Sequence, residues 1–305
     1  MLRQLLVSLL CLKGARAAVV TRSVASLSTG LSMELLQCGS RSGASSPPPV
    51  LFVHGTFHGA WCWEPWLERF AAAGIESYAV SLRGTSGSPA DQKNVKITEH
   101  VEDLRSLVSA TFPETPPILV GHSFGGASCL KYLEANLPAS GAVLVCSVPP
   151  SGNGPMVGRF LRRSLKQAWL ITTGFAMKRA ATDAQVCRDL FFDEGTSLEE
   201  VATYLPRLEA DAQIGLDVGH FVSVLPSKQA GDDGVANWLG APPRVPTLVL
   251  GAERDGVVDR EAVEETAAFL GSPGGAEFYD LPHDVMLCRG KEAPADRIID
   301  WVKSL

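Results

Sequence analysis

Short apolar runs that stop abruptly at glycine constrain this chain more than any other feature. Val50–Val53 is followed by His54-Gly55, and the run at 117–120 closes on Gly121. Residues 77–82, 141–148, 246–251 and 276–281 read as further strands. Runs this short, apolar without alternation, suit strands buried on both faces, the condition of a parallel sheet. Between them lie stretches at helical spacing over 61–73, 97–112, 124–137, Arg260–Leu270 and 294–303. Repeated strand, loop and helix units predict an α/β fold, a mostly parallel central sheet flanked by helices. Ligand-handling groups then belong at the carboxyl ends of the strands. From about 149 to 238 the strand pattern disappears and the chain turns helical and locally polar, with Arg159, Arg162, Arg163, Glu199, Glu200, Arg207 and Glu209. That stretch reads as a helical cap inserted into one domain over 33–305.

Composition removes whole classes of function. With 46% hydrophobic and 20% charged residues, the 305-residue chain can bury a sizeable core and is not disordered. Residues 1–32 hold Arg3, Lys13, Arg16 and Arg22 and no acid, which leaves 23 Lys/Arg against 33 Asp/Glu beyond them. A surface that acidic repels phosphate backbones and anionic headgroups, and no Lys/Arg cluster interleaved with aromatics is read here, so nucleic acid is not expected as a partner. No apolar run reaches the ~18 residues that a membrane span needs. The seven cysteines (Cys11, Cys38, Cys62, Cys129, Cys146, Cys187 and Cys288) are widely spaced and form no Cys-x-x-Cys pair, which predicts core thiols rather than disulfides or zinc.

The opening 32 residues read as an address. Leu2, Leu5, Leu6, Leu9 and Leu10 share a helical face and are followed by basic and Ser residues without an acid, as in an organelle transit peptide. The Leu/Arg-rich start favours a mitochondrion over a chloroplast. A secretory signal would fit Ala15-Arg16-Ala17 but for Lys13 inside that junction.

The chemistry is carried by Gly121-His122-Ser123-Phe124-Gly125-Gly126, where a predicted strand meets a predicted helix. That is the context of a nucleophile elbow, a strained turn in which small residues two before and two after the serine let strand and helix approach. A serine hydroxyl needs a base, and the base needs an acid to fix its tautomer. Of the six histidines, His54 and His58 lie in the first loop, His100 opens a helix, His122 is turned away from the serine by strand alternation, and His220 is in the cap. His283, after the last strand, is left as the base. Asp255, after the strand at 247–251, is the candidate acid, with Glu253, Asp259 and Asp280 less well placed. The amides of Phe124 and Thr56 are the candidate oxyanion donors. Phe57, His58, Phe191, Phe192 and Met286 are the candidate pocket residues. No metal or nucleotide signature occurs, and this chemistry needs no cofactor.

His54-Gly55-Thr56-Phe57-His58-Gly59-Ala60-Trp61, Leu82-Arg83-Gly84, the serine motif, and Pro282-His283-Asp284-Val285-Met286 together resemble the α/β-hydrolase superfamily, in its branch of plant methylesterases and hydroxynitrile lyases and their bacterial relatives. The resemblance implies Ser123, Asp255 and His283 as a triad with Thr56 and Phe124 as oxyanion amides. It departs at Gly55 and Asp284, where the lyases carry Thr and Lys, which counts against cyanohydrin cleavage. Ser123 in place of an Asp counts against dehalogenation and epoxide opening. The expectation is hydrolysis of a carboxylic ester or thioester of a small to medium apolar acyl group. A small-molecule sensor on the same fold, or cleavage of a carbon–carbon or peroxy bond by the same triad, stays open.

Overall fold

The computed structural model describes residues 19–305 apart from 42, 44, 45 and 240–244. Strands β1 (Thr21–Ser26), β2 (Ser32–Cys38), β3 (Val50–Val53), β4 (Ser77–Val80), β6 (Ile118–His122), β7 (Gly141–Val145), β9 (Thr247–Ala252) and β10 (Ala276–Tyr279) form one sheet. Their order is β1-β2-β4-β3-β6-β7-β9-β10. The pairs β1/β2 and β2/β4 are antiparallel and all later pairs are parallel. A separate two-residue ladder joins β5 (Asn94–Val95) to β8 (Gly215–Leu216).

Every residue of β3, β4, β6, β7 and β9 is buried, as their unbroken apolar runs require. Helix α1 (Glu64–Ala72) packs on β2 and β4 and against α11 (Glu292–Ser304). Helix α2 (Ile97–Thr111) packs on α3 (Phe124–Glu134), which covers β3, β6 and β7, and α10 (Arg260–Leu270) covers β9 and β10. Phe52 of β3 stacks on Trp63 at 4.8 Å and meets Phe70 edge-on at 5.1 Å, so the aromatics after the first loop serve as core.

The predicted strands and helices appear within a few residues of their expected bounds. The antiparallel pair β1/β2 is the addition, and it bears on the opening segment. Residues 1–18 lie outside the described residues, whereas Thr21–Ser26 pair along their whole length with Ser32–Gln37. A leader ending at residue 32 would therefore remove an edge strand. The cysteines among the described residues are free and buried.

Between β7 and β9 the chain forms α4 (Asn153–Arg163), α5 (Leu165–Ala176), α6 (Arg179–Thr182), α7 (Ala184–Phe191), α8 (Leu198–Asp211) and α9 (Val218–Ser223). Polar ties hold this cap over the strand ends. Arg159 chelates Asp259 at 2.6 and 2.7 Å, Gln167 donates to the Gly256 carbonyl at 2.6 Å, and Arg254 reaches Asp193 at 2.6 Å. The Trp61 indole N–H donates to Asp211 at 2.7 Å, and the Ser86 amide donates to the same carboxylate.

At the β6–α3 junction the glycines are required by space. A Cβ at Gly125 would stand 2.3 Å from the His54 carbonyl oxygen and 2.4 Å from that of Val53, and one at Gly121 would stand 2.7 Å from the Gly126 Cα. Backbone atoms cannot rotate away, so Gly125→Ala should cost about 3 kcal/mol of stability. Gly158→Ala, inside α4 with nothing within 4 Å, should instead gain about 0.8 kcal/mol from helix propensity alone. Urea melts of the two variants check this, and equal effects would contradict it.

Candidate active site

Ser123 is the turn between β6 and α3, with φ 53° and ψ −121°. A non-glycine residue rarely takes that conformation, and it is held there by the tight packing around it. The Ser123 amide donates to the Val145 carbonyl at 3.1 Å, and its own carbonyl accepts from Gly126 and Val148 at 3.0 and 3.1 Å. The backbone is thus fixed on both sides, while the hydroxyl has no hydrogen-bond partner among the described residues.

His283 and Asp255 follow β10 and β9 and meet across the sheet end. His283 Nδ1 lies 2.8 Å from Asp255 Oδ2, both side chains being almost fully buried. The other carboxylate oxygen accepts from the amides of Val257 and Val258, each at 2.8 Å. With three donors on it, Asp255 is held as an orienting acceptor for the imidazole. Glu253, Asp259 and Asp280 are engaged elsewhere, by Arg260, Arg159 and Arg254 respectively.

His122 plays a part that strand alternation did not suggest. Its ring packs 4.6 Å from that of His283, and its Nε2 donates to the His283 carbonyl at 3.0 Å, which ties the residue before the serine to the backbone of the histidine. Burial, and then the neighbouring His283, lowers the His122 pKa to about 3, so it is a neutral donor. His122, Cys146 and His283 offer ring nitrogens and a sulfur within 4.8 Å of one another. One nitrogen of each histidine is engaged, His122 Nε2 by the His283 carbonyl and His283 Nδ1 by Asp255, and burial raises the Cys146 thiol well above its usual range, which disfavours the thiolate that a cation would need.

The first loop reaches under the serine. A Cβ at Gly55 would stand 2.8 Å from the Ser123 Cβ, so this position must be bare. His54 Nε2 accepts from the Leu82 amide at 2.9 Å while its Nδ1 donates to the Gly55 carbonyl at 2.8 Å, and burial drops its pKa to about 3. The amide of Thr56 has no acceptor among the described residues, and that of Phe124, the first residue of α3, has no preceding turn to bond. Both residues border a small, open cleft whose lining includes Phe57, Leu82, Ile214 and Leu216. Of its charged members, Arg83 is chelated by Asp103 at 2.7 Å on both arms, and Asp211 accepts from the Trp61 indole and the Ser86 hydroxyl.

Of the expected pocket residues, only Phe57 lines that cleft. Phe191 stacks on His283 at 5.9 Å, Phe192 stacks on Tyr204 at 5.4 Å, and Met286 is wholly buried. His58 is corrected outright. Its Nδ1 faces the Thr56 carbonyl at 2.9 Å and its Nε2 faces Asp284 Oδ2 at 3.0 Å, so both nitrogens donate and neither is left for a ligand. The ring therefore carries a charge in a fully buried pair with Asp284, one residue beyond His283. Asp284 raises the His58 pKa against the opposing effect of burial, and His58 lowers that of Asp284 against the same effect. In the sequence only the unusual Asp at 284 hinted at this pair.

These features stand beside clear comparisons. The sequence profile of the Alpha/beta hydrolase family matches residues 50–301. This chain belongs to the alpha/beta hydrolase family. Among curated relatives of this hydrolase, the pFDCC methylesterase of Arabidopsis thaliana is 40% identical over 96 residues, 31% of this chain and 37% of that protein. A methylesterase of the same plant, named as chloroplastic, is 36% identical over 98 residues, 32% of this chain and 22% of its own length. The matches thus span well under half of the relatives. Among solved structures, a laboratory-evolved variant of a potato epoxide hydrolase superposes with a TM-score of 0.69 at 17% identity, covering 94% of this chain and 100% of that one, a likeness of fold.

The buried pair predicts a signed pH effect on stability. The raised His58 pKa contributes stability fully below the ordinary value of 6.5 and loses it as pH rises through the folded value. The lowered Asp284 pKa contributes above the ordinary 3.8 and loses it as pH falls through its folded value. Asp284→Asn strands the imidazolium and should cost about 3 kcal/mol at pH about 5.5, with a smaller deficit at pH about 9. Urea melts at the two pH values measure the difference, and a deficit that grows with pH would contradict the pairing.

Proposed function

We propose that this alpha/beta hydrolase cleaves a carboxylic ester, or a thioester, of a small to medium apolar acyl group through an acyl-enzyme at Ser123. The observation that carries this reading is the strained Ser123 turn at a strand end, tied through its neighbour His122 to the backbone of His283, which forms a buried pair with Asp255 at 2.8 Å. Rotation of the Ser123 hydroxyl toward His283 would complete the base contact, and such contacts tighten when substrate arrives. In the proposed cycle the Ser123 oxygen attacks the ester carbonyl and His283 Nε2 takes the hydroxyl proton. Asp255 holds the imidazolium, and the unspent amides of Thr56 and Phe124 receive the oxyanion. His283 returns the proton to the leaving alcohol and then activates water, which releases the acid and regenerates Ser123.

The cleft supports an uncharged, largely apolar group, since Arg83 and Asp211 in its lining are already hydrogen-bonded and the unpaired His100 ring there is held neutral by burial. Cyanohydrin cleavage is not proposed. A Thr at 55 has no room against Ser123, and position 284 holds the anion that pairs with His58. The esterase and methylesterase names of the relatives agree with ester hydrolysis, without extending to this chain's own alcohol or acid.

The basic, acid-free opening is proposed as an organelle leader. The chloroplast label of one relative supports an organelle but not the mitochondrial preference, and the place of β1 in the sheet supports a leader that ends before Thr21.

With a panel of short-chain aryl and methyl esters, Ser123→Ala should lower kcat/KM by on the order of 10⁴-fold or more, and Asp255→Asn by on the order of 10⁴-fold. Hydrolysis that persists unchanged in Ser123→Ala would sink the assignment.

A further inference from the structure

One face of the cap is left over after the site is accounted for. Between Glu134 and Asp183 the chain carries Arg159, Arg162, Arg163, Lys166, Lys178 and Arg179 and no acidic residue, in a protein of net charge −6. These cations are interleaved with Phe160 and Trp169, a cluster that a reading of the whole chain as acidic passes over.

The structure sorts this segment into an inner and an outer face. On α5, Ala168, Ile171 and Gly174 are buried. Leu165 and Trp169, one turn apart on the opposite side, are 73% and 69% exposed, and Leu161 just before α5 and Met177 just after it are 51% and 67% exposed. Arg159 and Arg163 are held by Asp259 and Glu261, whereas Arg162 and Lys166 have no ion-pair partner among the described residues. Single exposed apolar side chains need no explanation, but a Leu–Trp stripe rimmed by free cations does.

Charge and shape together select the occupant. Trp and Leu flanked by Lys and Arg fit the boundary between headgroups and acyl chains, where the indole rests at headgroup depth and the cations meet lipid phosphates. A nucleic acid would meet the same cations and leave Leu161, Leu165 and Met177 without apolar contact. We propose that α5 docks the cap on an anionic lipid surface, with Leu165 and Trp169 entering the headgroup layer and Arg162 and Lys166 facing the phosphates. The opposite side of α5 reaches the site: Phe175 stacks at 5.4 Å on Phe57, which lines the cleft, and Gln167 bonds to the loop that carries Asp255. Docking therefore sets the roof of the cleft against the layer in which an apolar substrate would dissolve. Among the described residues no helix is long and apolar enough to cross a membrane, which fits attachment at the surface.

Sedimentation of the full chain with phosphatidylcholine vesicles, with and without phosphatidylglycerol, tests the proposal. Binding is expected with the anionic vesicles alone and should weaken as salt is raised. Leu165→Glu with Trp169→Glu should lower partitioning more than tenfold at an unchanged melting temperature. Arg162→Gln and Lys166→Gln should each lower it on the order of fivefold. Absence of binding would overturn the proposal. So would equal binding by wild type and Leu165→Glu/Trp169→Glu, which would assign it to another part of the chain such as the basic opening. Self-association that these substitutions abolish, without vesicle binding, would make the face a contact between copies and would overturn it too.

Discussion

The close approach of three backbone segments beneath Ser123 is the constraint on which the rest of the site depends. The strand β6, the helix α3 and the loop after β3 come together so tightly that the spaces a Cβ would fill at Gly55, Gly121 and Gly125 are already taken. That crowding holds Ser123 in its positive-φ turn, and it brings the Thr56 and Phe124 amides to the same end of the sheet. The strained serine turn and the two unspent amides at that end of the sheet are thus one geometric consequence, produced by glycine spacing rather than by separate elements.

Behind the serine, burial sorts the histidines by the partners each is offered. His54 and His122 have a single acceptor apiece for one N–H and stay neutral, with pKa values near 3. His58 faces two acceptors and carries the charge that Asp284 compensates. Neutral donors fix the loop and the backbone of His283, and the charged pair braces the segment that bears it. A buried ion pair is costly to assemble and costly to break from one side, so its value here lies in holding residues 58 and 284 in register.

Much of this was legible in the sequence, for definite reasons. Unbroken apolar runs located the parallel strands because both faces of those strands are covered, and the order of serine, acid and histidine placed the three candidates at the ends of β6, β9 and β10, where Asp255 meets His283. Asp255 could be preferred over Glu253, Asp259 and Asp280 from its position alone, and the structure leaves those three bound to arginines. The strand β1 was hidden because its residues are basic and Ser-containing, as in a leader, and an edge strand exposed to solvent shows no apolar run. The His58–Asp284 pair was hidden because its partners are far apart in sequence, and nothing local marks a histidine whose two nitrogens both meet acceptors. Phe192 reads as a pocket residue because it belongs to an apolar pair in the cap, and Met286 because it follows His283, yet neither signal distinguishes a wall of the cleft from the core beneath it.

The central claim is that the fold activates Ser123. Treating the purified full chain with a fluorophosphonate probe and mapping the adduct by mass spectrometry tests it without any assumption about substrate. The account predicts an adduct on the peptide containing Ser123, and none there in a folded Ser123→Ala variant. A folded wild-type chain that takes up no probe, or that takes it up at another serine, would contradict it.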